Sequence, residues 1–540
     1  MTGASRSVAG AAVLVGLGFL GSRLLGALRQ VVIANEFGAS AELDAWFVAM
    51  RLPDLVFQVL AGATLASAFI PVYARYVLRR GEDEAWQLAS IVLNWVLIAT
   101  IALALVVLVF ADWIVPALAP GLGDDSGMQE ALRDDAIFLT RVMLISPVLF
   151  AVSGMITGML NARRHFLLPA LAPMLYNLAI ILGALTLSGR FGVEGLAIGV
   201  IVGSGLHLVV QLPGLVAARA RLSLSIDLRH RGAREVLRLM GPRMIGLAAL
   251  QVNLIVLTFF ASFEGSSAIS ALNFAMSVLL FPVGVFGMSL AMAMFPTLAE
   301  RAAGGGEGEV GELVGRGLRF TLFLTIPAGV GLMLLHEPLV RALFERGAFD
   351  AEATDLVSGA VLFYAIGLPA HAANEVLSRG FYALSDTRTP VMFAVTAMLI
   401  NLVLAAALVD PLGVEGLALA LSVATLVEAA GLFLALNVRL EGGLWSRPMA
   451  STLYRIVIGT ALMGEAVTLL LLGLEDQGNF GPRSFFALVA GSAIGAVVYY
   501  VSALLLRLRE AELIALRVQS LLSRGSADGH SRRSRPGPAP

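Results

Sequence analysis

Long apolar runs separated by short polar loops dominate the chain. A membrane-spanning helix needs about 20 consecutive apolar residues. By that rule we count fourteen spans, centred near residues 20, 60, 102, 147, 178, 205, 250, 283, 328, 368, 400, 425, 463 and 495. The runs are continuous and lack the period-2 alternation of barrel strands. The pattern therefore predicts an all-α polytopic membrane protein.

Composition agrees with this interpretation. Of the 540 residues, 58% are hydrophobic and only 14% are charged, and the mean hydropathy is +0.86. A soluble protein of this size could not cover so much apolar surface with so few charges. The chain has no cysteine, which excludes disulfides and zinc–thiolate sites. A net charge of −1 provides no field that would attract nucleic acid.

The loops alternate in charge, and this orients the spans. One set of loops carries 17 arginines and the other carries five, namely Arg133, Arg190, Arg341, Arg346 and Arg483. Under the positive-inside rule the arginine-rich set is cytoplasmic. Both termini are then cytoplasmic, which agrees with an even number of crossings.

Two internal matches indicate a duplication. The sequence Gly192–Ala197 recurs as Gly413–Ala418, and Ala49-Met50 recurs as Ala275-Met276, at offsets of 221 and 226 residues. We therefore predict two six-helix lobes that share one orientation, related by an axis along the membrane normal, with two extra helices at the C-terminal end.

The duplication and the loop charges predict five segments. They are an N-terminal lobe (1–218), an amphipathic cytoplasmic linker on anionic headgroups (219–240), a C-terminal lobe (241–440), the extra helix pair (441–508) and a cytoplasmic, largely disordered tail (509–540).

Charged residues inside the first two spans are the strongest functional signal. Arg23 and Arg29 lie in the first span, and Asp44, Arg51 and Gln58 follow at seven-residue spacing, which places these three on one helix face. A guanidinium at the bilayer centre costs roughly 2.5–3.5 kcal/mol, and such residues usually face a cavity. Because a guanidinium can donate two parallel hydrogen bonds to a phosphate, we predict a binding site for an anionic substrate group.

A purely structural alternative stays open. In it, Arg29 would pair with Asp44 and Arg51 with Asp54, so that the charges only hold two helices together. Isolated ionisable residues in other spans are interpreted as packing or interface residues. These are His207, His371, Glu375, Glu428 and Glu465.

No enzyme motif is found in the sequence. It contains no glycine-rich phosphate loop, no catalytic carboxylate pair on a sizeable domain and no metal-ligand cluster. We therefore expect a transporter without a cofactor, driven by the membrane potential, a monovalent cation or the substrate gradient.

The motifs resemble those of the MurJ (MviN) family of lipid II flippases, within the larger group that includes the MATE exporters. The resemblance extends to about residue 505. It rests on Ser22–Arg29 with Phe37-Gly38-Ala39 and Asp44, on Ala68–Tyr73, Gly158–Ala162, Pro282–Gly287, Leu343–Phe349 and Phe381–Pro390.

The resemblance implies a flippase of the bacterial cytoplasmic membrane with a role in peptidoglycan synthesis and cell shape. Its cargo would be lipid II, the undecaprenyl-diphosphate-linked precursor, moved to the periplasmic leaflet by alternating access. Arg23 and Arg29 fall on the family arginines that meet the diphosphate, and Asp44 falls on the acid of the second span. The two extra spans would form a groove for the lipid tail. Expected partners are lipid II, membrane lipids and the cell-wall synthesis machinery.

The chain departs from the family pattern at two sites. Family members carry basic residues near Phe57 or Gln58 and at Ser277, where this chain has none. We expect Arg51 to substitute in the first lobe, and Asn273 with Ser277 to offer neutral hydrogen bonds in the second. Some family members use acids in the seventh and eleventh spans for a sodium site, and these spans contain no such acid here, apart from Asp410 at one end.

Two other functions remain open on the sequence alone. One is a related exporter that carries another prenyl-diphosphate-linked glycan or, like the MATE proteins, a small molecule. The other is a non-transporting scaffold within a cell-wall complex.

Overall fold

A computed structural model describes residues 3–60, 63–122, 129–475 and 481–516, and its regular secondary structure there is helical. The first ten helices are α1 (Gly3–Phe37), α2 (Ala41–Leu60), α3 (Ala63–Arg80), α4 (Glu82–Leu118), α5 (Gln129–Met143), α6 (Ile145–Ala162), α7 (Leu167–Phe191), α8 (Glu194–Val209), α9 (Leu212–Ala217) and α10 (Arg231–Ala261). The remaining helices are α11 (Ala268–Pro282), α12 (Ser289–Ala303), α13 (Glu307–Leu334), α14 (His336–Phe344), α15 (Ala351–Ala383), α16 (Arg388–Arg439), α17 (Arg447–Glu475) and α18 (Gly481–Leu505). A π-helical segment, Val283–Met288, joins α11 to α12, and residues 509–516 form a short last helix.

The all-helical membrane class predicted from the sequence is confirmed. Within the described ranges, ten helices are long and apolar enough to cross a membrane. Every one of the fourteen predicted span centres lies in a helix, and the 52-residue α16 contains two of them. The total of fourteen crossings stays a prediction. Most of the tail predicted to be disordered, 517–540, lies outside the described residues.

The repeated glycine motif has the same backbone conformation in both copies. Gly192 ends α7 with φ 54° and ψ −137°, and Gly413 bends α16 with φ 57° and ψ −137°. These angles lie outside the regions open to residues with a Cβ atom, so glycine is needed at both sites. The bend at Gly413 divides α16 into two helical segments, as the end of α7 at Gly192 separates α7 from α8.

The chain divides into two compact units. Unit 1 comprises Met1–Phe281, Val340–Tyr364 and Asp386–Glu428, and unit 2 comprises Pro282–Leu339, Ala365–Ser385 and Ala429–Pro540. Parts of the predicted C-terminal lobe therefore belong to each unit. The lobe boundaries at residues 218 and 440 stay predictions.

Residues 219–230, most of the predicted linker, form no helix or strand in unit 1. Asn94 on α4 donates from Nδ2 to the carbonyl oxygens of Ser223 and Ser225, at 2.9 and 3.0 Å. His230 then caps α10, with Nδ1 accepting from the Ala233 N–H at 3.2 Å. Residues 231–240 consequently form the beginning of a long helix.

Small residues bring α1 close to α7 in unit 1. A Cβ atom placed on Gly18 would lie 2.6 Å from Ala170 Cβ, and one on Gly21 would lie 2.9 Å from Met174 Cε. Asn177 on α7 also donates from Nδ2 to the Ser22 carbonyl at 3.5 Å. Glycine therefore lets the arginine-bearing helix pack directly on its neighbour.

This packing predicts that two nearby glycines of α1 differ strongly in how far a valine substitution lowers the thermal stability. Gly18→Val should lower the thermal unfolding midpoint in detergent, since overpacking of this kind costs about 1–3 kcal/mol. Gly16→Val is the matched control, because no atom lies within 4 Å of a Cβ at Gly16. Equal midpoints for the two variants would contradict the proposed α1–α7 contact.

Candidate functional site

The buried acid of α2 caps a helix of the second repeat. Asp44 is 2% exposed, and its Oδ2 accepts from the Ser267 N–H at 2.8 Å while its Oδ1 accepts from the Ser270 N–H at 2.6 Å. Both N–H groups belong to the start of α11, where a helix leaves its donors unsatisfied and its dipole favours a negative charge. Backbone donors thus stabilise the carboxylate. The alternative that paired Asp44 with Arg29 is wrong.

Asp44 and Ser270 are equivalent positions of the duplication. The offset of 226 residues that aligns Ala49-Met50 with Ala275-Met276 also aligns Asp44 with Ser270. A residue that bonds its own counterpart lies close to the axis relating the two repeats. The first and second repeats therefore meet along α2 and α11.

Loop contacts strengthen this junction at the same end of unit 1. Ser267 donates from Oγ to the Ala39 carbonyl at 2.8 Å, and the Ala348 N–H donates to the Asn35 carbonyl at 2.8 Å. Gly38 has φ 64°, and a Cβ there would lie 2.4 Å from the Ala348 carbonyl oxygen. Only glycine fits this approach.

Arg51 also reaches from the first repeat to the second. Its Nε donates to Thr258 Oγ1 on α10 at 2.9 Å, and its Nη2 donates to Asn273 Oδ1 on α11 at 3.0 Å. These groups and Tyr364 line a cavity of about 20 Å³, and the buried Tyr364 hydroxyl finds no hydrogen-bond partner among the described residues. The arginine is therefore held by neutral acceptors.

Arg29 and Asp54 complete the charged group. Asp54 interacts electrostatically with both Arg51 and Arg29, and Arg29 also interacts with Tyr176. Within the described ranges, the Arg29 Nε is buried without a hydrogen-bond partner, and no carboxylate lies within ion-pair distance of it. Arg23, six residues earlier on α1, is partly buried. Two guanidinium groups, those of Arg29 and Arg51, thus share one carboxylate, Asp54.

The predicted site residues do not all meet. Asp44, Arg51 and Asn273 form one contiguous set, whereas Ser277 donates from Oγ to the Phe274 carbonyl of its own helix at 2.6 Å. Gln58 makes no hydrogen bond with this set in the part of the chain that the structure describes. Four groups at this junction were not predicted, namely Thr258, Ser267, Ser270 and Tyr364. Of these four residues, only Ser270 could have been found from the sequence, because the repeat offset aligns it with Asp44.

His207, interpreted from the sequence as an isolated packing or interface residue, takes part in a network of polar side chains. Its Nδ1 lies 2.6 Å from Ser153 Oγ, and Gln211 Nε2 donates to the same Ser153 Oγ at 2.8 Å. Thr157 donates from Oγ1 to Gln211 Oε1 at 2.8 Å. The network joins α6 to α8 and satisfies these polar groups inside the first lobe.

An amide pair joins the predicted seventh and eleventh spans. Asn401 on α16 donates from Nδ2 to Asn253 Oδ1 on α10 at 2.5 Å. Burial raises the pKa of Glu264 in the turn after α10, and the charge of Asp410, further along α16, raises it further. Among the described residues, no group of three or more His, Asp or Glu side chains is placed to hold a metal ion.

Unit 2 contains a separate apolar groove. Its volume is about 490 Å³, and α13, α17 and α18 form its walls. Small residues open the space, because Gly491 and Gly495 line the groove beside Leu335 and Val467. Helices α17 and α18 are the two extra spans of the sequence prediction.

The fold and the buried charges define a polytopic helical transporter. The structure is similar to an inward-facing multidrug resistance MATE family transporter of the MOP superfamily, with a TM-score of 0.66 over 77% of this chain and 94% of that one, at 15% identity. It is also similar to a structure of the lipid II flippase MurJ in an inward closed conformation, with a TM-score of 0.78 over 92% of this chain and 99% of that one, at 26% identity.

Sequence comparisons specify the family. The model of the family described as lipid II flippase MurJ matches residues 33–491. The chain is 34% identical to the lipid II flippase MurJ of Burkholderia cenocepacia, over 77% of this chain and 81% of that protein. It is 30% identical to the probable lipid II flippase MurJ of Thermotoga maritima, over 93% and 97% respectively. The protein belongs to the MurJ family, as the sequence motifs predicted.

The cap at α11 predicts a stability effect specific to Asp44. Asp44→Ala leaves two buried N–H groups without an acceptor, at a cost of about 1–3 kcal/mol each, and should lower the thermal unfolding midpoint in detergent. Asp44→Asn keeps one acceptor oxygen and should fall between Asp44→Ala and the unmodified chain. Glu42→Ala is the control, since Glu42 lies exposed in the same helical turn. A midpoint for Asp44→Ala equal to that of the control would refute the cap.

Proposed function

We propose that the protein moves lipid II from the cytoplasmic to the periplasmic leaflet by alternating access of the charged site in unit 1. Membership of the MurJ family supports the cargo, and the buried arginines support the way in which it is bound. The protein is a transporter of the bacterial cytoplasmic membrane with several membrane-spanning helices. We place both termini on the cytoplasmic side, on the basis of the arginine distribution.

The diphosphate of lipid II is the group that the arginines would bind. Arg29 has a buried donor to offer, and the hydrogen bonds of Arg51 go to a hydroxyl and an amide oxygen. Hydrogen bonds to an ionised acceptor are roughly twice as strong as those between neutral groups. A diphosphate oxygen would therefore replace Thr258 and Asn273 as the acceptor for Arg51, and Asp54 would partly neutralise the two guanidinium groups in the empty site.

The Asp44 cap would act as the gate at the end predicted to be periplasmic. In the present conformation the two repeats are joined there by Asp44, Ser267 and Ser270. Opening on that side must break both hydrogen bonds and expose the carboxylate to water, which compensates for their loss. Capture of Arg51 by the substrate would weaken the same junction, since both residues project from one face of α2.

The apolar groove of unit 2 would accommodate part of the prenyl chain. Its walls are almost entirely apolar, and burying apolar surface there is favourable by about 25 cal/mol per Å². For the driving force we retain the membrane potential or a monovalent cation. Membrane lipids and the cell-wall synthesis machinery remain the other proposed partners.

Substitution of the arginines tests the binding role. Arg29→Gln and Arg51→Gln should each fail to rescue cells depleted of their own flippase, and Arg23→Gln should fail as well, because each variant removes a charge that meets the diphosphate. The measurement is the access of a lipid-II-degrading toxin to precursor on the periplasmic side, in strains with equal protein levels. Arg79→Gln, at the exposed end of α3, should rescue fully.

Full rescue by both Arg29→Gln and Arg51→Gln would refute the site. Native mass spectrometry of the purified protein would then separate the remaining alternatives, by showing whether lipid II or another prenyl-diphosphate-linked glycan is bound. Unchanged toxin access after depletion of the protein would favour the scaffold hypothesis.

A further inference from the structure

The apolar groove of unit 2 has two chemically different ends. Phe323 and Leu335 lie twelve residues apart on the α13 side of the groove, which corresponds to about 18 Å of helix. At one end Tyr499 donates to the Phe323 carbonyl at 2.7 Å, and their rings lie 5.2 Å apart. At the other end Gly491 approaches the Leu335 side chain. We call these the Tyr499 end and the Leu335 end.

The chain folds back under the Tyr499 end after α18. It turns at Arg507, where φ is 53°, and then forms the helix 509–516. Leu508 and Ala511 are 1% and 0% exposed and join the core cluster that contains Phe323 and Tyr499, and Ile514 lines the groove itself. This last helix is therefore a fixed part of the groove.

Several arginines are brought together at this end. Arg455 on α17 donates from Nη1 to the Arg507 carbonyl at 3.1 Å, which places the Arg455 guanidinium at the backbone of the turn that carries Arg507. Arg319 on α13 lies 3.5 Å from Glu510, from Nε to Oε1, and both side chains are largely buried. This pair anchors the helix 509–516 to α13.

Arg455 and Arg507 differ from Arg319 in their partners. Within the described part of the chain, no carboxylate lies within 4.0 Å of either guanidinium, whereas Glu510 already neutralises Arg319. The Leu335 end offers leucine side chains instead, namely Leu335, Leu339 and Leu488. An amphiphile with its chain in the groove would therefore find, for an anionic headgroup at the Tyr499 end, two guanidinium groups that no carboxylate of the described residues neutralises.

We propose that the Tyr499 end is a phosphate-binding station, at which the headgroup of a prenyl phosphate or diphosphate rests against Arg455 and Arg507 while its chain occupies the groove. The proposal rests on the function proposed above, which gives the prenyl chain to this groove. It adds a second anion site, on α17 and the turn after α18, to the one formed by Arg29 and Arg51. The arginine distribution places this end on the cytoplasmic side, where lipid II is made available.

A single cysteine in the groove measures occupancy without transport. The natural chain has no cysteine, and Ser492 lines the groove, so Ser492→Cys introduces one thiol with little change of shape. The full-length protein is placed in phosphatidylcholine nanodiscs and labelled with an uncharged maleimide. Undecaprenyl phosphate, undecaprenol and phosphatidylglycerol are added in separate titrations, and the labelling rate is followed.

Undecaprenyl phosphate should slow the labelling. The double variant Arg455→Gln/Arg507→Gln should raise its half-protecting concentration about tenfold, a change of about 1.4 kcal/mol. Protection by undecaprenol should be weaker and equal in both backgrounds, because it lacks the phosphate. Arg447→Gln, at the exposed start of α17, is the matched control and should change nothing. Arg455→Lys/Arg507→Lys keeps the charge and should recover most of the affinity.

The outcomes separate the two proposals. If no prenyl lipid protects the thiol, the groove does not take the chain, and both the groove assignment and the station are refuted. If undecaprenyl phosphate protects equally well with and without the two arginines, only the station is refuted. Equal protection by phosphatidylglycerol would instead identify an ordinary phospholipid site. An unchanged labelling rate without lipid shows that the glutamine variant keeps its fold.

Discussion

The contact between a buried carboxylate and the start of a helix is the interaction on which the arrangement of unit 1 depends. Asp44 is removed from water, so its charge must be balanced inside the protein. The unsatisfied N–H groups of Ser267 and Ser270 provide that balance, and they belong to the other repeat. The first and second repeats are consequently joined by a bond that is strong in the interior and replaceable by water. A junction of this kind suits a transporter that must open and close.

The duplication is symmetric in backbone and asymmetric in charge. Gly192 and Gly413 have nearly the same dihedral angles, yet Asp44 and Arg51 of the first repeat face donors and acceptors without charge in the second. Because only the first repeat carries a charge at these equivalent positions, like charges do not face each other across the axis that relates the repeats. The arrangement also leaves the arginines available to an anion.

In the proposed mechanism, unit 1 would bind the polar headgroup of an amphiphilic cargo and unit 2 would bind its hydrocarbon chain. Unit 1 gathers guanidinium groups in an apolar setting, where electrostatic interactions are strong. Unit 2 forms an apolar groove from α13 and the two helices outside the duplication. A polar headgroup and a long hydrocarbon chain have opposite solvation needs, so separate sites for them are physically reasonable. In the further proposal, Arg455 and Arg507 at the Tyr499 end would give unit 2 an anion site of its own next to the apolar groove.

The sequence by itself determined the helical membrane class, the duplication, the family and the charged residues of the first two spans. Internal matches and motifs gave the duplication and the family. Apolar run length gave the membrane class and the charged residues within it, because bilayer thickness acts on local sequence. Local sequence could not decide which partner each charge takes. Asp44 was a candidate for Arg29 and instead caps α11, Ser277 turned to its own backbone, and Thr258 and Tyr364 gave no signal. Hydrogen-bond partners more than 200 residues apart, such as Arg51 and Asn273, are chosen by how the helices pack, so only the tertiary structure decided them.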